Sequence, residues 1–305
     1  MKRFFLALTA LAFLAGPASA AKVGVAMERM DDGFLKLLQD ALIKEASSSP
    51  GVDIEISIAD SDANRQIEQI KAFIDGGFDA VIFQPVNDEV TDTVNQMTAD
   101  AGVPLVYVNR TPPQLSFPGK VSIVTCNELV AGRAQMRMLG SLVGFKGSVV
   151  LLRGADDHPA AGARSNGVKE VLAQYPDLKL AFEESGQWSR EEAEKIVTGL
   201  LERGTKIDII AANNDQMALG AIDAYKKAGA DLGSVVIGGV DGTPNALAAM
   251  QAGDLEVSLL QSAPKQAKQA LMDAVTLANG QYAQLYDWVA YELIVKENLQ
   301  KYASN

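Results

Sequence analysis

Ile207-Asp208-Ile209-Ile210-Ala211-Ala212 runs directly into Asn213-Asn214-Asp215, and that polar triplet into Met217–Lys227. The first six residues are nearly all apolar, as expected of a strand covered on both faces of a sheet. The last stretch reads as a helix, so the triplet sits at the carboxyl end of a strand. Strand, short polar loop and helix in repetition imply right-handed crossovers and parallel sheets with helices on both faces.

The same unit recurs outward in both directions. Downstream come a strand at Val235–Val240, a helix at Pro244–Ala252 and a strand at Leu255–Leu260. A helix at Pro264–Asn279 and a final strand-like run at Trp288–Val295 follow. Upstream are strands at Ser148–Leu152 and Leu178–Glu183, each with a helix behind it. An earlier series opens with a strand at Lys22–Met27. Next come Phe34, Leu37, Leu38, Ala41, Leu42 and Ala46, spaced as one face of a helix whose start Asp31 or Asp32 would cap. Strands at Val52–Ala59, Asp79–Gln84, Val103–Val108 and Val121–Thr125 complete it. The two series divide near residue 126, and the second repeats the first in architecture. The expected fold is therefore α/β, with two similar doubly wound parallel-sheet domains.

The 305 residues carry 27 Lys+Arg against 38 Asp+Glu, a formal net charge of −11. That balance argues against nucleic acid or an anionic membrane as partner. Cys126 is the only cysteine and His158 the only histidine, so neither an intrachain disulfide nor a Cys/His zinc cluster is available. No metal and no cofactor is expected. Met1-Lys2-Arg3, the apolar run Phe4–Ala15, the breaker Gly16-Pro17 and Ala18-Ser19-Ala20 form a leader cleaved after Ala20. Loss of Lys2 and Arg3 would take the net charge to −13, and the mature chain is expected in the periplasm.

In open parallel sheets ligands bind outside the carboxyl ends of the strands. The polar residues there are Asn109-Arg110, Arg164 beyond a Gly-rich loop, Asn213-Asn214-Asp215, Asp241-Gly242-Thr243-Pro244 and Gln261. Phe34 and Trp188 occupy comparable loops. Hydroxyls both donate and accept. Asp241 would accept from them, the two arginines donate, Asn and Gln do both, and the rings stack on apolar C–H faces. Asp241 and Asp32 offset the arginines, which favours a neutral polyhydroxylated ligand. Each residue also has a plain structural reading: Asn214-Asp215 as a helix cap, Asp241–Pro244 as a turn into a helix, Arg164 as an exposed helix residue, Phe34 as a core anchor. His158 reads more simply as a solvated loop residue than as part of the cleft.

The chain resembles the periplasmic ribose-type (type I) sugar-binding proteins that feed ABC transporters. The resemblance rests on Asn213–Ala221, Gly239–Pro244, Arg164–Val168, Gln66–Ile70 and the strand Asp79–Pro85. It implies two α/β domains joined by a three-crossover hinge with the ligand cleft between them. It also implies ligand contacts from Asp32, Phe34, Asn109, Arg110, Arg164, Trp188, Asn214, Asp241 and Gln261. The ribose pattern has Asp at Asn109, Phe at Leu35, Asn at Asp32 and Phe at Trp188. Tyr107-Val108-Asn109-Arg110 is more similar to the inositol- and rhizopine-binding branch. The crossovers are then expected near Thr125–Glu128, Gln261–Ala263 and Asp287–Val289. The domains would be 22–126 plus 262–287 and 127–261 plus 288–305. The implied partners are a sugar or cyclitol and an inner-membrane permease, with a chemoreceptor or sensor as a further candidate; a monomer is expected. An exported enzyme would need a nucleophile or an acid–base pair, and His158 has no Ser or Cys partner in a recognisable motif. A repressor of this fold would carry a DNA-binding segment where the leader stands.

Overall fold

The computed structural model describes residues 20–30 and 33–302. Residues 1–19, where a leader is expected, and the candidate caps Asp31 and Asp32 lie outside the described residues, and the ligand contact expected of Asp32 lies outside them too.

Strands and helices alternate through the chain. The first series is β1 (Ala21–Met27), α1 (Gly33–Ser48), β2 (Val52–Ile58), α2 (Ala63–Asp75), β3 (Ala80–Phe83), α3 (Glu89–Ala101), β4 (Leu105–Val108) and β5 (Val121–Thr125). The second is α4 (Glu128–Leu142), β6 (Gly147–Arg153), α5 (Pro159–Gln174), β7 (Leu178–Ser185), α6 (Arg190–Glu202), β8 (Ile209–Ala212), α7 (Asp215–Ala228), β9 (Val236–Gly238), α8 (Pro244–Ala252) and β10 (Ser258–Leu260). The chain ends through α9 (Ala263–Ala278), β11 (Tyr286–Trp288) and β12 (Glu292–Ile294).

The strands build two main sheets of matching order and a two-stranded one of β10 and β12. The first runs β2-β1-β3-β4-β5-β11, parallel throughout. The second runs β7-β6-β8-β9. The bridges Gly238–Val257 and Asp241–Leu260 attach the β10 segment to its edge, and β12 pairs antiparallel with β10. Successive strand residues point to opposite faces. Val25, Ile82 and Val106 therefore pack with α1 and α9, while Val81, Phe83, Leu105 and Tyr107 pack with α2 and α3. In the second sheet Leu152, Ile210 and Ile237 meet α6, α7 and α8, and Leu151, Ile209 and Val240 meet α4 and α5.

The chain passes between the sheets at Cys126-Asn127, at Gln261-Ser262 and at Val289–Tyr291. The third passage falls at the far end of the expected 287–289 span. The reason is that β11 continues through Trp288, paired with Thr125, and Val289 belongs to the first core. The single strand expected over Trp288–Val295 is for the same reason two short strands in different sheets. β9 and β10 are also shorter than expected, three residues each.

Candidate functional site

A cavity of about 340 Å³ opens between the carboxyl ends of the two sheets. Its walls come from loops that follow strands. Glu28 and Arg29 follow β1, Gln84 and Asn87 follow β3, and Asn109 and Arg110 follow β4. Across the cleft, Asp157 and His158 follow β6, Gln187 and Trp188 follow β7, and Asn214 follows β8. Asp241 and Gln261 flank the β10 edge. Phe34, Asn109, Arg110, Arg164, Trp188, Asn214, Asp241 and Gln261, all singled out from the sequence, line this cavity.

Backbone strain marks the same place. Among the described residues, seven non-glycine positions have positive φ, and Ser61, Asn109, Gln187, Trp188 and Asp241 all line the cavity. Side chains rarely adopt that region unless the surroundings impose it, and such positions gather at ligand sites.

Two residues are fixed by glycine. A Cβ on Gly154 would come within 2.1 Å of the Trp188 ring, so only glycine lets the indole lie over that loop. A Cβ on Gly132 in α4 would lie 1.9 Å from the carbonyl oxygen of Arg164. The absent side chain lets α5 settle against α4 and sets where Arg164 starts.

Arg164 is buried, not an exposed helix residue. Its Nε donates to Glu128 Oε2 (2.5 Å), Nη1 to the Asn213 carbonyl (2.7 Å), and Nη2 to Gln261 Oε1 (2.7 Å) and to the Tyr291 hydroxyl (2.8 Å). Nη1 also lies 3.9 Å from Asp241 Oδ1. Burial opposes the charge, but the carboxylates of Glu128 and Asp241 outweigh it and hold the guanidinium protonated well above its ordinary range. Arg110 is equally buried and donates to Asp88 Oδ1 (3.1 Å), to the Val86 carbonyl (3.2 Å) and across the cleft to the Asp157 carbonyl (2.7 Å).

The structural readings of Asn214 and Phe34 also hold, beside their place on the wall. Asn214 caps α7, its Oδ1 accepting from the Met217 N–H at 3.0 Å, and Phe34 is packed in the first core. Asp215 is not on the wall. It is buried beneath it, where its carboxylate accepts from the Thr243 N–H (2.7 Å), the Thr243 hydroxyl (3.1 Å) and the Ser258 hydroxyl (2.7 Å). It thereby holds the loop that presents Asp241. Burial raises its pKa to about 6 against those hydrogen bonds.

His158 corrects the sequence expectation. It caps α5, its Nδ1 accepting from the Ala160 N–H (3.2 Å), and its ring sits edge-on to Trp188 at the cavity wall. That acceptor role fixes the proton on Nε2. Burial, then the charges of Arg110, Arg164 and Arg29, push its pKa well below the ordinary value. Glu28, Arg29 and Gln84 are among the wall residues that the sequence reading missed, together with Asn87, Glu128 and Gln187. The first three follow strands β1 and β3, so the rule that found Asn109-Arg110 would have found them too. Gln84 accepts from the Glu28 N–H (2.8 Å), and buried Gln66 fastens the Gln84–Val86 loop from beneath with two 2.8 Å bonds.

Residues 23–282 match the family model described as a periplasmic binding protein domain. The chain belongs to that family. Along 99% of its length and 99% of the relative's, it is 38% identical to a Rhizobium meliloti protein named "Putative rhizopine-binding protein". Two solved structures share the architecture. An ABC transporter solute-binding protein from Bacillus halodurans with bound myo-inositol superposes with a TM-score of 0.89 at 31% identity, over 95% of this chain and 99% of that one. The Caulobacter myo-inositol binding protein bound to myo-inositol gives 0.85 at 25% identity, over 94% and 97%. Periplasmic binding proteins of this kind are solute-binding transport proteins rather than enzymes, and they are typically periplasmic. The fold is the two-domain type I architecture, with the cavity between the domains.

Proposed function

We propose that this periplasmic binding protein captures a neutral cyclitol, inositol-like in preference to an aldose, and delivers it to the permease of an ABC importer. The observation that carries the reading is the way charge is arranged at the cavity. Each guanidinium there has a carboxylate of its own: Arg29 with Glu28 at 3.9 Å, Arg110 with Asp88 at 3.1 Å, Arg164 with Glu128 at 2.5 Å. An acidic ligand would have to compete with these pairs. Hydroxyls need not, because paired arginines still donate and the carboxylates, Asn109, Asn214 and Asp241 supply acceptors. Phe34 from one domain and Trp188 from the other offer apolar faces for a ring. Phe34, Asn109 and Arg110 then act from the first domain and Arg164, Trp188, Asn214, Asp241 and Gln261 from the second, with Asp32 added to the first. Only the closed form makes both sets of contacts, so ligand shifts the population toward closure.

The boundaries 22–126 plus 262–287 and 127–261 plus 288–305 fit this mechanism, with the third passage placed a little later. Cleavage after Ala20 releases the mature protein into the periplasm, where it acts as a monomer. Presentation of the closed form to a chemoreceptor or sensor is compatible with the same motion.

Thermal unfolding with a panel of cyclitols and monosaccharides tests the reading. At about a thousand times Kd, a ligand should add about 4 kcal/mol, or several degrees in a chain of this size. A shift with myo-inositol and none with ribose is expected. A shift with ribose alone would overturn the cyclitol assignment and leave the site in place.

A further inference from the structure

We propose that Tyr291 is a positioning residue which, with Glu128, fastens all three inter-domain passages to Arg164 and so makes the hinge respond to the cavity. Glu128 is the first helical residue after the passage at Cys126-Asn127, Gln261 lies in the second passage, and Tyr291 lies in the third. These positions are far apart in sequence, yet all three meet on one guanidinium. The Tyr291 hydroxyl accepts from Arg164 Nη2 at 2.8 Å and donates to Glu128 Oε2 at 2.7 Å, with Gln261 Oε1 3.0 Å away. The phenol thus joins the first and third passages directly and stands beside the second. The ring of Tyr291 also lies near the guanidinium, 5.9 Å from Arg164 Cζ to its centroid.

Arg164 has five N–H donors in a planar fork. Four are committed to Glu128, Asn213, Gln261 and Tyr291, and Nη1 stands toward Asp241. A rigid fork cannot turn to a ligand at one edge without moving its other edges. Hinge closure in turn requires the backbone of three separate segments to change together. The guanidinium is where those two requirements meet. Tyr291 does not line the cavity, so it acts through Arg164 and not on the ligand.

The inference rests on reading the cavity as a ligand site between closing domains, and the test separates the two. Tyr291→Phe keeps the ring and removes only the hydroxyl. In the ligand-free protein, amide hydrogen exchange at 126–128, 261–262 and 289–291 should rise together by about tenfold, the equivalent of one buried charge-assisted hydrogen bond. Strands β3 and β8 should keep their protection. Glu128→Gln should reproduce the three-segment pattern. Faster exchange confined to 289–292 would overturn the proposal, because the passages would then be independent. With myo-inositol as probe, Tyr291→Phe should speed dissociation about tenfold and leave association nearly unchanged. Failure of the wild type to bind myo-inositol would sink the cyclitol reading, while the exchange pattern would still decide the role of Tyr291.

Discussion

His158 is a neutral imidazole among three guanidiniums. It holds its place by capping α5 through Nδ1, which leaves Nε2–H as the donor at the cavity wall. Burial and then Arg110, Arg164 and Arg29 disfavour the imidazolium. Facing it are those arginines, the indole of Trp188 and the neighbouring carboxylate of Asp157. A group whose pKa is lowered by closure takes up a proton more readily in the open or unfolded state. Its contribution is therefore complete above the ordinary value of 6.5 and lost as pH falls below it. Affinity for ligand should weaken between pH 7 and pH 5, by at most about tenfold per pH unit. His158→Gln, which keeps an amide donor, should flatten that dependence in titration calorimetry; an unchanged slope would count against the role. Sequence alone could not assign it, because Trp188 and Arg110 are brought to His158 only by folding. Arg110 and Asp241 were legible for the opposite reason, since each follows a strand end that the apolar pattern already located; Arg164 was reached one step further on, beyond the loop after β6.

At the scale of elements, the site depends on how closely α4 and α5 approach. Gly132 and Gly167 face each other's helices, and Cβ atoms there would lie 1.9 Å from the Arg164 carbonyl and 2.4 Å from the Leu129 carbonyl. Both are backbone atoms, so the helices themselves must part. Gly132→Ala should destabilise by roughly 1–3 kcal/mol, as overpacking of a filled interior does. It should weaken ligand binding as well, since Arg164 rides on the displaced turn. Gly199→Ala in α6, where the nearest foreign atom is Arg203 Nη1 at 4.0 Å, is the control and should be neutral or slightly stabilising. Equal melting points for the two variants would show that the crossing has slack. The helices were easy to read because 3.6-residue periodicity survives burial on one face. The end of the chain was not: Trp288–Val295 has the composition of a strand, yet Trp288 is 58% exposed and the run passes from one sheet to the other.

For the whole molecule, the decisive contacts are those that exist only when the domains are together. Arg110 belongs to the first sheet's side and donates 2.7 Å across the cleft to the Asp157 carbonyl between β6 and α5. At another edge of the cleft, a Cβ on Gly33 would come within 2.6 Å of Gln216 Nε2 on α7, so the domains meet there too. Contacts of this kind contribute to the closed state and nothing to the open one, so their loss shows in how fast ligand leaves. Arg110→Met keeps most of the stem's volume and removes the fork. Of the partners it abandons within its own domain, Asp88 has a side chain 41% exposed and stays hydrated, while the buried Val86 carbonyl loses its donor, so folding loses about 1–3 kcal/mol. The melting temperature of the ligand-free protein should stay within a few degrees of wild type, while myo-inositol dissociation in stopped flow accelerates by about tenfold or more. X-ray scattering should also show the ligand-saturated variant more extended than the ligand-saturated wild type. An unaltered dissociation rate would mean that the cleft is held shut elsewhere, and that Arg110 serves only to brace the loop from Val86 to Asp88.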